Sequence, residues 1–385
     1  MLSVCFIARN EEKNLPRALA SVRGVADEII VADTGSTDRT VEIAKESGAV
    51  VCHFPWCDDF SAARNHSISH ARGDWILWMD ADEELLPESA AELRACLERK
   101  DALAFFVRFQ DLKQADRLDY FTWMWRLRLF RRRDDLRFQG RCHPDFRPDI
   151  GEIEAKSGLR VDYSTVTIRH YGYLGTLAEG KLRRAARLLE LELRDRPGQL
   201  YYLIEFARTL AMLKDARWEE VLREAAARLL PQTRQKESPA PIVSLLLEHL
   251  LQLPPVQLPS GFNPELVESL AWRWFPSSAP LLWLLARRAA GAGKFNDAER
   301  LLRRLIQMGK DQSYDQWVSF DPRLIGDDAK ANLGACLVRQ GKLDEAVTVF
   351  RELLASPAHA DQARGNLQAI EQFMQQAGTG MTNDK

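Results

Sequence analysis

The sequence predicts an α/β domain built on a parallel sheet, followed by an all-α domain of stacked helix pairs. Three observations lead there. Up to about residue 80, short β-branched runs alternate with helical patterns every 10–15 residues or so. Beyond Lys181 the pattern is almost entirely helical. Two late segments repeat one another, Gly293-Lys294-Phe295-Asn296-Asp297-Ala298 and Gly341-Lys342-Leu343-Asp344-Glu345-Ala346.

Residues 2–8 (LSVCFIA) read as a buried strand, and residues 11–22 place Leu15, Leu19 and Val22 at helical spacing. Residues 28–32 (EIIVA) form a second strand. The polar run Asp33-Thr34-Gly35-Ser36-Thr37-Asp38 follows, in which Ser36 or Thr37 can cap a helix ending at Ser47. Residues 49–53 are a third strand, 60–71 a helix and 75–79 a fourth strand. Ligands of parallel sheets sit at the carboxyl ends of the strands. Both acidic clusters, 33–38 and 80–84, fall there. Residues 102–109, 126–131 and 160–168 are further strands. The two helical repeats lie 48 residues apart, more than the roughly 34 of a tetratricopeptide repeat; the segment 313–328 accounts for the excess. Helix pairs of this size bury their apolar faces by stacking. The expected division is 1–178, 179–376 and an unstructured tail at 377–385.

The chain has 385 residues, 46% hydrophobic and 28% charged, which excludes a wholly disordered chain. A net charge of −2 gives no basic excess for nucleic acid. Six scattered cysteines without a CxxC pair indicate free thiols in a reducing compartment. No apolar run approaches a membrane span. The apolar start lacks a basic leader and reads as a strand. A cytoplasmic location is expected.

Asp80 and Asp82 follow the fourth strand. Alternate residues of an extended chain face the same way, so both carboxylates are expected to point at one hard cation, Mg²⁺ or Mn²⁺. Residues 1–100 carry 11 Lys/Arg against 18 Asp/Glu, a field that a phosphate enters only with a cation. The same run is also a good acidic helix start. Asp33, at the end of the second strand, suits hydrogen bonding to a ribose or base, and equally an Asx turn. Arg64, on its own stretch, reads as a surface arginine one turn into a helix. Residues 108–147 hold 11 Lys/Arg and six Asp/Glu. There Arg126 and Arg128 alternate with apolar residues, as in a solvated edge strand. His143 and His170 each stand alone and read first as structural. Cys52, His53 and Cys57 lack a second ligand pair, which argues against zinc at that stretch.

Taken together, Ala8-Arg9-Asn10-Glu11-Glu12, residues 31–38 (VADTGSTD), 59–65 (DFSAARN) and 73–83 (GDWILWMDADE) resemble a family-2 glycosyltransferase with the GT-A fold. The chain is similar to the subgroup in which tetratricopeptide-like helices follow, which includes transferases acting on bacteriocin peptides. Leu129-Phe130-Arg131, residues 140–143 and His170-Tyr171-Gly172-Tyr173 carry that closer likeness. The resemblance implies a nucleotide-sugar donor, most often a UDP-sugar, and a divalent metal. It implies that Ala8, Arg9 and Glu11 line the nucleoside pocket, that Asp33 contacts the uridine, and that Arg64 lies against the base or diphosphate. Asp80 with Ala81 meets the ribose, Asp82 binds metal and diphosphate, and His170 completes the metal site. The subgroup has His-Glu where this chain has His143-Pro144, so the base falls to Asp145 or His143.

The expected function is a metal-dependent inverting transfer of sugar to a peptide, protein, glycan or glycolipid, with the helices binding the acceptor or a second subunit. The alternative is an inactive GT-A domain whose repeats form a protein-binding scaffold. Nucleotidyl transfer would want a Gly-rich loop after the first strand, which Ala8-Arg9-Asn10 does not supply.

Overall fold

The structure, a computed structural model, describes residues 1–114, 117–172 and 179–380. Contacts divide it into two compact units, 1–221 and 222–385. In the first, β1 (Leu2–Ala8), α1 (Leu15–Val22), β2 (Glu28–Asp33), α2 (Thr40–Glu46), β3 (Val50–His53), α3 (Phe60–Ser69) and β4 (Trp75–Asp80) alternate as expected. Then follow β5 (Glu83–Leu85), α4 (Ala90–Glu98), β6 (Ala102–Leu112), β7 (Phe121–Arg131), β8 (Arg137–Gln139), β9 (Asp145–Arg147), α5 (Ile150–Ser157) and β10 (Arg160–His170).

The main sheet has eight strands in the order β3-β2-β1-β4-β7-β6-β10-β5. Its first four are parallel. The sheet as a whole is mixed, because β7 runs antiparallel to both β4 and β6. One face packs Phe6, Trp75 and Phe105 against Leu19 of α1 and Leu93 of α4; the other packs Ile30, Ile76 and Phe130 with the β8–β9 hairpin. Each large apolar side chain buried this way contributes about 1.5–3 kcal/mol.

Three local expectations change. Neither Ser36 nor Thr37 caps α2. Its N-cap is Arg39, whose side chain makes no capping bond; the Asp38 carboxylate just before it accepts from the Thr40 amide (3.0 Å) and hydroxyl (2.5 Å). The β7 strand is central rather than an edge, and its Arg128 is buried. The chain turns at residues 81–82 instead of running extended, so the two aspartates diverge.

Helices follow, beginning with α6 (Glu179–Asp195) and α7 (Leu200–Met212). The first compact unit extends to Val221, and within it Leu189, Tyr202 and Phe206 pack with Cys142, Trp56 and Phe60. The helix α8 (Trp218–Leu229) spans the division.

The second unit contains α9 (Val243–Gln252), α10 (Pro264–Trp274), α11 (Ala279–Gly291), α12 (Phe295–Asp311), α13 (Asp327–Arg339), α14 (Leu343–Leu353) and α15 (Ala360–Gly380). The two repeated segments do the same work. Gly293 (φ +73°) and Gly341 (φ +75°) take the left-handed conformation that ends one helix and lets the next turn back. Leu282, Leu305, Leu337 and Phe350 form the shared core. Gly334 lets α13 approach Phe350, whose ring a Cβ would meet at 2.6 Å. Helix α15 continues to Gly380, into the segment expected to be unstructured; residues 381–385 lie outside the described ones.

Candidate active site

Register brings the sequence motifs to one end of the sheet. Ala8 lies beside Asp33, and Ile7 beside Asp80. Ala8 is buried and its carbonyl accepts from the Thr34 amide at 2.9 Å; Arg9 is exposed. Asn10 adopts φ +57°. Its side chain accepts from the Thr37 amide at 2.8 Å, and its amide donates to Ser36 Oγ at 3.0 Å. The two strand-end loops are thereby tied together. Asp33 is buried, accepts from the Gly35 and Ser36 amides (3.3 and 3.0 Å), and lies 3.3 Å from His53 Nδ1. Burial works to raise its pKa, but the Ser36, His53 and Gly35 contacts outweigh it and hold the carboxyl low. The Asx turn expected at this residue is present, closed by the Gly35 and Ser36 amides.

Asp82 and His170 converge, with Oδ2 and Nε2 3.8 Å apart. His170 ends β10, paired with Glu83 of β5 on one side and Asp111 of β6 on the other. Its Nδ1 meets Asp111 Oδ1 at 3.0 Å, which leaves Nε2 facing Asp82. Asp111 in turn pairs with Lys113 at 2.6 Å. Burial holds the Asp82 carboxyl above its ordinary value, and Asp80 adds to this against the pull of His170. Glu11 is likewise raised, chiefly by burial, with Asp82 and Asp80 contributing. Such a concentration of buried negative charge favours a cation. Gly172 closes the cradle: a Cβ there would lie 2.5 Å from His170 Nε2 and closer still to Asp82 Oδ2. Tyr173, the last residue of that motif, lies outside the described residues.

Asp80 does not join Asp82. Its Oδ1 lies 3.3 Å from Arg64 Nη2, and its Oδ2 3.7 Å from Arg128 Nη2. Burial alone would raise Asp80; Arg64 and Arg128 bring it below its ordinary value. Both guanidiniums lie over the Trp78 ring, at 3.8 and 3.4 Å from its centroid. Arg64 is therefore no surface residue, since 11% of its side chain is exposed. Arg128 also pairs with the fully buried Glu83, which accepts from the Asp80 amide at 2.9 Å. Ala81 is buried in the turn between these partners.

The remaining candidates sit around the hairpin. Asp145 opposes Gln139, is exposed, and accepts from the Phe146 amide at 2.8 Å. His143 has φ +49°, so Pro144 does not hold it extended as its position before a proline would suggest. Its Nε2 lies 3.8 Å from Glu205 Oε2 of α7. Burial works against the charged imidazole, yet Cys142 and Glu205 hold its pKa up at about 9.

Sequence reasoning missed Arg128, Glu83, Asp111, Gly172 and Glu205. Only strand pairing across the sheet gives Asp111 and Glu83 a role, and only the packing of α7 brings Glu205 to His143. The alternation of Arg128 with apolar residues was a signal, read for the wrong side of the strand.

This arrangement defines an α/β domain of the GT-A kind followed by tetratricopeptide-like helices. Residues 3–146 match the model of glycosyl transferase family 2, and that segment is a glycosyltransferase family 2 domain. A TPR repeat-containing protein of Synechococcus elongatus is 41% identical over 257 residues, 66% of this chain and 61% of the relative. An uncharacterized glycosyltransferase of Rickettsia typhi is 42% identical over 92 residues, 24% of this chain and 31% of the relative. Glycosyltransferase SunS of Bacillus phage SPbeta is 29% identical over 222 residues, 54% and 49% of the two chains. This chain thus spans between about a third and three-fifths of these relatives. A solved glucosyl-3-phosphoglycerate synthase from Mycobacterium tuberculosis, in complex with Mn²⁺, UDP and glucosyl-3-phosphoglycerate, is 26% identical, covering 28% of this chain and 44% of that one. Its TM-score is 0.26, too low for a structural argument. No helix among the described residues is long and apolar enough to cross a membrane.

Proposed function

We propose that the protein is a metal-dependent inverting glycosyltransferase that moves a sugar from a nucleotide-sugar, most simply a UDP-sugar, to a peptide, protein, glycan or glycolipid acceptor. The convergence of Asp82 on His170, with Asp111 orienting the imidazole, carries this reading. The donor set of one carboxylate and one imidazole, in a cradle that a Cβ would fill, fits Mn²⁺ or Mg²⁺ with positions left open. Asp82 and His170 would hold that ion, which when bound supplies Lewis-acid stabilisation of the leaving diphosphate.

The protein's own groups account for the rest. Asp33, kept ionised by its amide partners, is an acceptor for the nucleoside's N–H or O–H groups. Arg64 and Arg128 keep Asp80 ionised and fixed beside them. Direct displacement at the anomeric carbon needs a group to take the acceptor's proton. His143, with Glu205 beside it to stabilise the imidazolium, suits that role. Asp145, whose carboxylate is exposed, is the other candidate.

The test is donor turnover across UDP- and GDP-sugars, with and without Mn²⁺, for the native chain and Asp82→Asn. We expect metal-dependent hydrolysis that falls by about 10²-fold or more in the variant, the scale of losing one preorganised charge. Equal turnover in both would remove Asp82 from the site. Donor binding without transfer to any acceptor would favour the scaffold reading that Pro144 suggests.

A further inference from the structure

We propose that Cys52, His66 and His70 form a zinc site, separate from the Asp82–His170 centre, that staples β3 to α3. One ligand atom from each of the three lies within 4.8 Å of the other two. The residues come from two elements. Cys52 is on β3, His66 is in the last turn of α3 and His70 is that helix's C-cap, still in the right-handed helical conformation, so the i, i+4 spacing sets the two imidazoles one turn apart on the same side.

The chemistry and the local contacts agree. A thiolate with two imidazoles is a borderline-soft set that suits Zn²⁺ rather than the hard Mg²⁺. His70 Nδ1 is 3.0 Å from the His66 carbonyl, which fixes the tautomer with Nδ1–H donating and leaves Nε2 as the lone pair. That is the backbone partnership usual behind a metal-bound histidine. His66 Nε2 is buried and has no hydrogen-bond partner among the described residues, a costly state that a ligand would relieve. Its ring is fixed by Phe54, with centroids 5.1 Å apart, and by His70 at 4.7 Å.

Tetrahedral zinc with thiolate and imidazole ligands holds its donor atoms about 3.4–3.6 Å apart. Closing from 4.8 Å asks for a modest side-chain adjustment, which the exposed His70 can make. His70 also opens the site to solvent, while Cys52 lies at the buried end. The Cys52 thiol now faces the Val31 carbonyl at 3.8 Å. On binding, its proton leaves to solvent and sulfur bonds the metal, so affinity rises with pH. Three protein ligands leave a fourth position for water. The neighbouring sequence did not reveal this set, because the partners of Cys52 come from the next helix and not from Cys57.

The full-length chain, stripped with a chelator, is titrated with Co²⁺ as a spectroscopic stand-in and then with Zn²⁺. We expect a thiolate-to-cobalt charge-transfer band and tetrahedral visible bands that saturate at one equivalent and vanish on adding Zn²⁺. Asp82→Asn and Cys57→Ser should keep the band and Cys52→Ser should lose it. His70→Ala, an exposed position, should weaken binding by more than about tenfold, the smaller end of what even an outer-shell partner contributes. Zn²⁺ should raise the melting temperature of the native chain more than that of His70→Ala. A native chain with no thiolate band overturns the proposal. So does a band that persists with undiminished affinity in both His66→Ala and His70→Ala, or one lost in Cys57→Ser.

Discussion

Gly172→Ala tests the candidate metal cradle by adding a single methyl group. Gly172 does not adopt the left-handed backbone, so alanine fits the local conformation and the perturbation is purely steric. The new Cβ would stand 2.5 Å from His170 Nε2, 3.1 Å from Asp82 Cγ and closer still to Asp82 Oδ2. His170 is held from behind by Asp111 and packed by the Phe109 ring, 5.2 Å away. Asp82 keeps 22% of its side chain exposed, so it is the group that yields. Its carboxylate must retreat by on the order of 1 Å, and a misplacement of that size costs about 10²-fold in rate. Because Asp82 can swing toward solvent, the fold should lose less than about 1 kcal/mol. The assays are Mn²⁺ affinity by calorimetry, metal-dependent donor turnover and thermal melting without metal. Weaker Mn²⁺ binding and slower turnover with an unchanged melt are expected. Native Mn²⁺ affinity and turnover in Gly172→Ala would refute the cradle.

Other perturbations probe neighbouring groups. Asp33→Ala should weaken UDP binding by about 1–3 kcal/mol, the worth of charged hydrogen bonds; equal calorimetric affinity would take Asp33 out of the nucleoside pocket. Arg128→Met leaves the fully buried Glu83 without its cation and should destabilise the first unit by about 3–5 kcal/mol. A loss below about 1 kcal/mol in urea unfolding would mean that the pair is dispensable. With His143 held up at about 9, its proton is retained through neutrality, so transfer should climb with pH toward that value. Glu205→Gln should move the midpoint down. The same raised pKa contributes stability that is fully present below about 6.5 and lost as pH rises through about 9. A flat rate profile over that window would exclude His143 as the base and turn attention to Asp145.

The local sequence was enough for the strands and helices of the first 80 residues, because apolar period and β-branched runs record which faces are buried. The motif residues Ala8, Asp33, Asp80 and Asp82 were legible for the same reason: strand ends in a parallel sheet share one edge. The glycines at 293 and 341 announced the helix turns through the left-handed backbone they alone adopt without strain. What lay across the sheet or between elements was not legible. Nothing near Asp111 says that β6 will lie beside β10 and set it behind His170. Nothing near Arg128 says that β7 is central, so a charge that looked solvated is instead buried over Trp78 between Asp80 and Glu83. The divergence of Asp80 from Asp82 depends on a turn that the extended-chain argument could not see. Sequence patterns report burial along one element; which charges meet is decided by register and helix docking, where contacts distant along the chain first become neighbours.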